Sequence, residues 1–118
     1  MDHPPYPRHF KLKLQLYNTQ PCLGKGVVTL LQLISEGHSL RSASQSMNMA
    51  YSKSWKIIHA AEEDLGFSLI IKQKGGAGHA GSVLTPEGAD LLKNYQEFES
   101  ASRQAVGALF HQYFGKEG

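Results

Sequence analysis

Gly76, Gly78 and Gly81 in KQKGGAGHAG (72–81) carry the G-x-G-x-x-G spacing of a loop that cradles a dinucleotide pyrophosphate. Such a loop works between a strand and the N-terminus of a helix, with an acidic residue about 20 positions further on. The flanks here do not fit. SLIIKQK (68–74) and SVLT (82–85) are both β-prone, no helix starts directly after Gly81, and no Lys-Ser/Thr pair follows the glycines. The glycines therefore join two strands of a hairpin, and no cofactor is expected. The six histidines (3, 9, 38, 59, 79, 111) form no i, i+4 pair and no His-x-His, so no metal site is expected. Cys22 stands alone, which excludes an internal disulfide and a multi-cysteine zinc site, and it reads as a buried, inert thiol. Glu62, Glu63 and Asp64 are consecutive and point different ways around a helix, as a solvated face does. No catalytic residue is expected, and the chain does not read as an enzyme.

What remains is a set of cations and hydroxyls suited to holding a polyanion. Net charge is only +2, but residues 1–85 hold nine Lys/Arg against five Asp/Glu, and residues 86–118 hold three against five. The basic part is N-terminal, which suits a polyanion-facing region followed by a segment with another task, although a merely solvated basic face has the same balance.

These residues must be positioned by one modest domain, because 118 residues leave room for a single core. With 41% hydrophobic and 19% charged residues the composition is globular, and no run approaches the roughly 18 apolar residues of a membrane span. Residues 1–9 read as a loose arm without a secretory h-region, so a soluble, cytoplasmic protein is expected. Phe10–Leu16 (FKLKLQL) alternates with period 2, predicting a strand with Phe10, Leu12, Leu14 and Leu16 inward. Asn18–Gly26 reads as a turn. Val27, Leu30, Leu31 and Ile34 predict a helix ended by Gly37.

Ser39 can cap a short helix with Leu40, Ala43 and Met47 inward, and Asn48 tolerates the left-handed conformation that a tight turn at 48–51 needs, with Met49 beneath it. A second helix follows, with Ser52 as cap and Trp55, Ile58, Ala61 (or Glu62) and Leu65 inward, ending at Gly66. Two short helices on such a turn make a helix-turn-helix, whose outer face would carry Ser52, Lys53, Lys56 and His59. A second helix of this kind lies in the DNA major groove with its N-terminal end toward base edges, where lysine reaches guanine and serine reaches a base or a phosphate. Tyr51, Ser52, Lys53 and Lys56 occupy that end, while Ser39 and Leu40, joined by Arg41, can clamp a phosphate at the first helix. The alternative is a helical hairpin in an unrelated core, with its lysines only solvated. Lys72, Lys74, Gly76, Gly78 and His79 then form a wing that touches the DNA backbone or the minor groove.

In KLKLQL, MAYSKSWKII, EEDLG, GGAGHAG and LTPEGADLL, taken in order over residues 10–114, the chain resembles the N-terminal domain of ModE-type molybdate-responsive regulators, which is related to the LysR-type DNA-binding domains. The resemblance implies a winged helix-turn-helix that binds double-stranded operator DNA as a homodimer, with contacts from Tyr51, Ser52, Lys53 and Lys56 and a wing over Gly75–Gly81. Ala77 stands where the family has a lysine in its wing, and His79 interrupts the glycines. Family members continue into a molybdate-binding module, so direct molybdate sensing, or any other small-molecule ligand, is not expected for this chain.

Thr85-Pro86 opens a last helix running to about Phe114, which at 1.5 Å per residue is about 42 Å long. Leu91, Tyr95, Phe98, Ala105 and Leu109, widened by Phe110 and Tyr113, form an apolar stripe on it that is expected to pack against a second copy. That packing would set two recognition helices about 34 Å apart, one turn of B-DNA. The expected fold is mainly α with a small β wing: arm 1–9, winged helix-turn-helix 10–85, and a dimerisation helix 86–118. Two other readings stay open, a winged-helix module for protein contacts and a nonspecific, architectural DNA binder.

Overall fold

The computed structural model describes residues 6–73 and 81–115. In chain order these form β1 (Leu16–Tyr17), β2 (Pro21–Leu23), α1 (Lys25–Ser35), α2 (Leu40–Ser46), α3 (Tyr51–Leu65), β3 (Ile70–Gln73), β4 (Gly81–Leu84) and α4 (Pro86–Phe114). The fold is mainly α, as expected. It contains two small antiparallel sheets, β1 with β2 and β3 with β4.

In α1, Val27, Leu30, Leu31 and Ile34 are buried and Gly37 follows the helix with φ of 106°. The caps of α2 and α4 are side-chain caps: Ser39 Oγ accepts from the Ser42 N–H at 3.0 Å and Thr85 Oγ1 accepts from the Gly88 N–H at 2.8 Å. Asn48 has φ of 54° in the turn after α2, so a polar residue takes the left-handed position there. The core joins Leu23 of β2 and the inner faces of α1 and α2 to Ile58 and Ala61 of α3, Leu69, and Leu92 and Tyr95 of α4. Cys22 is buried beside it, and burial first, then the nearby negative Asp64, push its thiol pKa up, keeping it protonated.

Three details depart from the sequence reading. The alternation in 10–16 survives as alternating burial, yet only Leu16–Tyr17 forms a ladder, because Pro21–Leu23 offers a short partner inside the segment read as a turn. Secondly, α3 is capped by Ala50 rather than Ser52, without a side-chain hydrogen bond. Thirdly, Trp55 is not a core residue: it is 47% exposed, while Ser54 is fully buried. The packed stripe is Ser54, Ile58, Ala61 and Leu65, so it matches the expected one at its last three positions and has Ser54 in place of Trp55 at its first. Ser54 and Ala61 of α3 and Ala43 and Ser44 of α2 are all small and all buried, and the two helices pack together, so an indole at position 54 would need space that a close-packed interior does not offer. The Ser54 hydroxyl is satisfied by donating to Met49 Sδ at 3.1 Å, so its burial leaves no orphan donor.

Of the three acids of α3, Glu63 is exposed as expected of a solvated face, while Glu62 and Asp64 also make hydrogen bonds within the chain. Glu62 Oε2 accepts from the N–H groups of Leu69 (2.7 Å) and Ile70 (3.2 Å), tying the end of α3 to the start of β3. Asp64 accepts from the hydroxyl of Thr19 and from the backbone N–H groups of Thr19 and Gln20 at 3.1–3.2 Å. Those bonds hold its carboxyl below its ordinary pKa, the Thr19 side chain contributing most.

Candidate nucleic-acid interface

Three elements converge on one face. The N-terminus of α2 supplies Ser39, Leu40 and Arg41, the first turn of α3 supplies Tyr51, and the base of the β3–β4 hairpin supplies Lys72, Gly81 and Ser82; these line a single concavity. Hairpin and helix-turn-helix therefore present one continuous surface. The hairpin has the register Ile70 opposite Leu84 and Gln73 opposite Gly81. Its tip, with the wing residues Lys74, Gly76, Gly78 and His79, lies outside the described residues. At the rim, the Arg41 guanidinium sits 4.6 Å from the centre of the Tyr51 ring, a cation–π contact that fixes both side chains.

Ser52, Lys53 and Lys56 are exposed on α3, on the side away from Ser54, Ile58 and Ala61. The ion pairs among the described residues are His59 with Glu62 (3.8 Å) and Arg103 with Glu99 (3.2 Å). Neither engages Arg41, Lys53, Lys56 or Lys72, so these four exposed cations have no ion-pair partner among the described residues; Arg41 and Lys72 share one concavity, and Lys53 and Lys56 follow Tyr51 of its rim along α3. An anionic polymer is the partner such a surface attracts. His59 is less open than the sequence suggested, because its ring lies flat on Trp55 at 3.8 Å and 18°. Ser82 also lines this concavity and was not among the residues expected there, because on the hairpin the sequence reading followed charge and glycine. Among the described residues no cluster of three or more His, Cys, Asp or Glu could hold a metal ion, and no helix is long and apolar enough to cross a membrane.

The residues expected at a dimer contact divide into two sets on α4. Tyr95 is buried in the chain's own core, with its hydroxyl donating to the Leu14 carbonyl at 3.0 Å, and Leu91 packs partly against that core. Phe110 meets Phe10 at 5.2 Å. These three serve the monomer. The reason is the segment before β1: its contacts run from Tyr95 at Leu14, through Gly107 and Phe110 at Phe10, to Phe114 at Tyr6, so it lies extended and antiparallel along α4. Eight extended residues span about 26 Å, and the 19 helical residues from Tyr95 to Phe114 about 28 Å, so the pairing keeps step along the helix. Phe98, Ala105, Leu109 and Tyr113 remain exposed alongside them.

No protein-family model matches the chain. Over 94 residues, 80% of the chain, it is 28% identical to the molybdenum-pterin-binding protein MopB of Rhodobacter capsulatus, and it spans only 35% of that protein's length. Among solved structures it is similar to the BenM DNA-binding domain in complex with benA site 1 DNA (TM-score 0.56, 21% identity, 77% of this chain and 96% of that one). The CbnR DNA-binding domain in complex with DNA is also similar (TM-score 0.54, 20% identity, 70% and 90%). So is ArgP from Mycobacterium tuberculosis (TM-score 0.54, 16% identity, 72% and 30%). These likenesses show the fold, a winged helix-turn-helix.

Proposed function

We propose that the chain is a sequence-specific DNA-binding transcription regulator of the ModE-like type, engaging double-stranded operator DNA as a homodimer. The carrying observation is the shared face on which Arg41, Tyr51, Lys72 and Ser82 surround one concavity beside the exposed Ser52, Lys53 and Lys56. In this reading α3 enters the major groove, where Lys53 and Lys56 reach guanine acceptors or phosphates and Ser52 a base edge. The N-terminus of α2 and Lys72 hold phosphates and set the register, and the hairpin tip meets the next groove. Two copies join through the exposed α4 stripe of Phe98, Ala105, Leu109 and Tyr113, with the Leu14–Tyr6 segment bracing the helix beside that stripe. The ligand in MopB's name belongs to that protein and is not part of this reading.

The test is the ratio of affinity for a site selected from a random duplex pool to affinity for random duplex at one salt concentration. A regulator gives a ratio of about 10³ or more. A ratio near one refutes the reading in favour of architectural binding.

A further inference from the structure

We infer that Trp55 is a base-reading residue, its exposed indole edge meeting a thymine methyl in the major groove; this rests on the DNA-binding reading above.

A tryptophan that is 47% exposed on a helix whose neighbouring position is filled by a fully buried serine is not explained by packing. It lies one turn beyond Ser52 and next to Lys56, on the edge of α3 that shares a shallow concavity with Phe67 and Ser68. The ring is also held still. The His59 imidazole covers one face at 3.8 Å, His59 Nδ1 donates to the Trp55 carbonyl at 2.9 Å, and His59 Nε2 lies 3.8 Å from Glu62 Oε1. Glu62 is in turn fixed by the N–H groups of Leu69 and Ile70. A side chain held in place before binding loses little freedom when it docks, which favours a defined contact.

The chemistry of the occupant follows from what the indole lacks. It has no cationic charge for a phosphate and one N–H donor, whereas its edge is apolar. The apolar feature of the major groove is the thymine 5-methyl, which tells T·A from the other pairs. Lys56 lines the same concavity as the ring, with Glu62 and Glu63, of which Glu62 is held by the N–H groups of Leu69 and Ile70; cores of protein–protein contacts are depleted in such charged side chains, so nucleic acid fits these surroundings better than a protein partner.

The experiment uses the full chain and its selected duplex site. Each thymine is replaced in turn by deoxyuridine, which removes only the methyl group. The expected result is one thymine per half-site whose replacement weakens binding about fourfold, the effect of losing one buried methyl. Trp55→Ala should bind the thymine site more weakly and become indifferent to that replacement, with Trp55→Phe in between. Far-UV circular dichroism checks that both variants fold, and the wild-type series needs no variant. A protein indifferent to every replacement, or a sensitive thymine that stays equally sensitive in Trp55→Ala, overturns the inference. If the selected-to-random ratio remains high in either case, the regulator reading survives alone; a ratio near one removes both.

Discussion

Salt dependence of DNA binding follows from the exposed cations on the proposed face. Arg41, Lys53, Lys56 and Lys72 project from it with no carboxylate partner among the described residues. If each neutralises one phosphate, the plot of log affinity against log salt falls with a slope of about −0.9 per contact, or about −3.6 per chain and about −7 for two copies on a two-fold site. Raising salt from 50 to 200 mM then weakens binding roughly 150-fold per chain, and roughly 10⁴-fold for the pair. The double variant Lys53→Ala/Lys56→Ala removes half of these contacts and should halve the slope. It should leave helicity unchanged, because both side chains are exposed and the α3 core stripe is untouched. Fluorescence anisotropy titrations at four or five salt concentrations supply the slopes. A wild-type slope shallower than about −1, or a double variant with the wild-type slope, would refute the assignment of this face to the phosphate backbone.

Leu109→Asp, placed on the exposed α4 stripe, should convert a dimer to a folded monomer in sedimentation velocity; an unchanged sedimentation coefficient would move the interface elsewhere. Asp64→Ala should lower the melting temperature at pH 7. Because the folded-state pKa of Asp64 is depressed, its stabilisation is present above its ordinary value of 3.8 and is lost as pH falls through the folded-state value, so the gap from wild type should close on acidification below pH 3.8. A gap that is constant down to pH 2 would exclude the carboxylate as its cause. Gly88→Ala sets two effects against each other: alanine favours helix by up to about 1 kcal/mol, but its Cβ would lie 3.0 Å from the carbonyl carbon and 3.1 Å from the Cα of Leu69. Backbone cannot rotate aside as a side chain can, so a net loss of about 1–3 kcal/mol in urea unfolding is expected, and a stabilised variant would contradict the close packing of α4 on Leu69.

Much of the architecture was legible because its local signals agreed. Val27, Leu30, Leu31 and Ile34 have one period, Asn48 suits the left-handed turn, and Thr85-Pro86 opens α4 as its residue types require. The exposure of Lys53 and Lys56 on α3 was legible for the same reason, since charged residues stay outside a core whichever way the helix turns by a few tens of degrees. The position of Trp55 was not. Residues 54 and 55 differ by 100° around a helix, both stripes through Ile58 are compatible with the spacing, and hydrophobicity favoured the larger residue. Which one is buried depends on the space that the elements packed on α3 leave, which the sequence of α3 does not carry. Tyr95 and Phe110 were assigned to a partner copy on similar grounds, for the sequence of α4 does not say that residues 6–14 will lie against it.

The order of residues along the chain determined by itself the inner face of α1, the left-handed turn at Asn48 and the Thr85-Pro86 opening of α4, because these depend on backbone preference and period within a few residues. Only the tertiary structure decided which apolar side chains are shared within the chain and which remain open for another molecule. That outcome is set by competition for space among segments far apart in sequence, and burial is a property of the neighbours as much as of the residue.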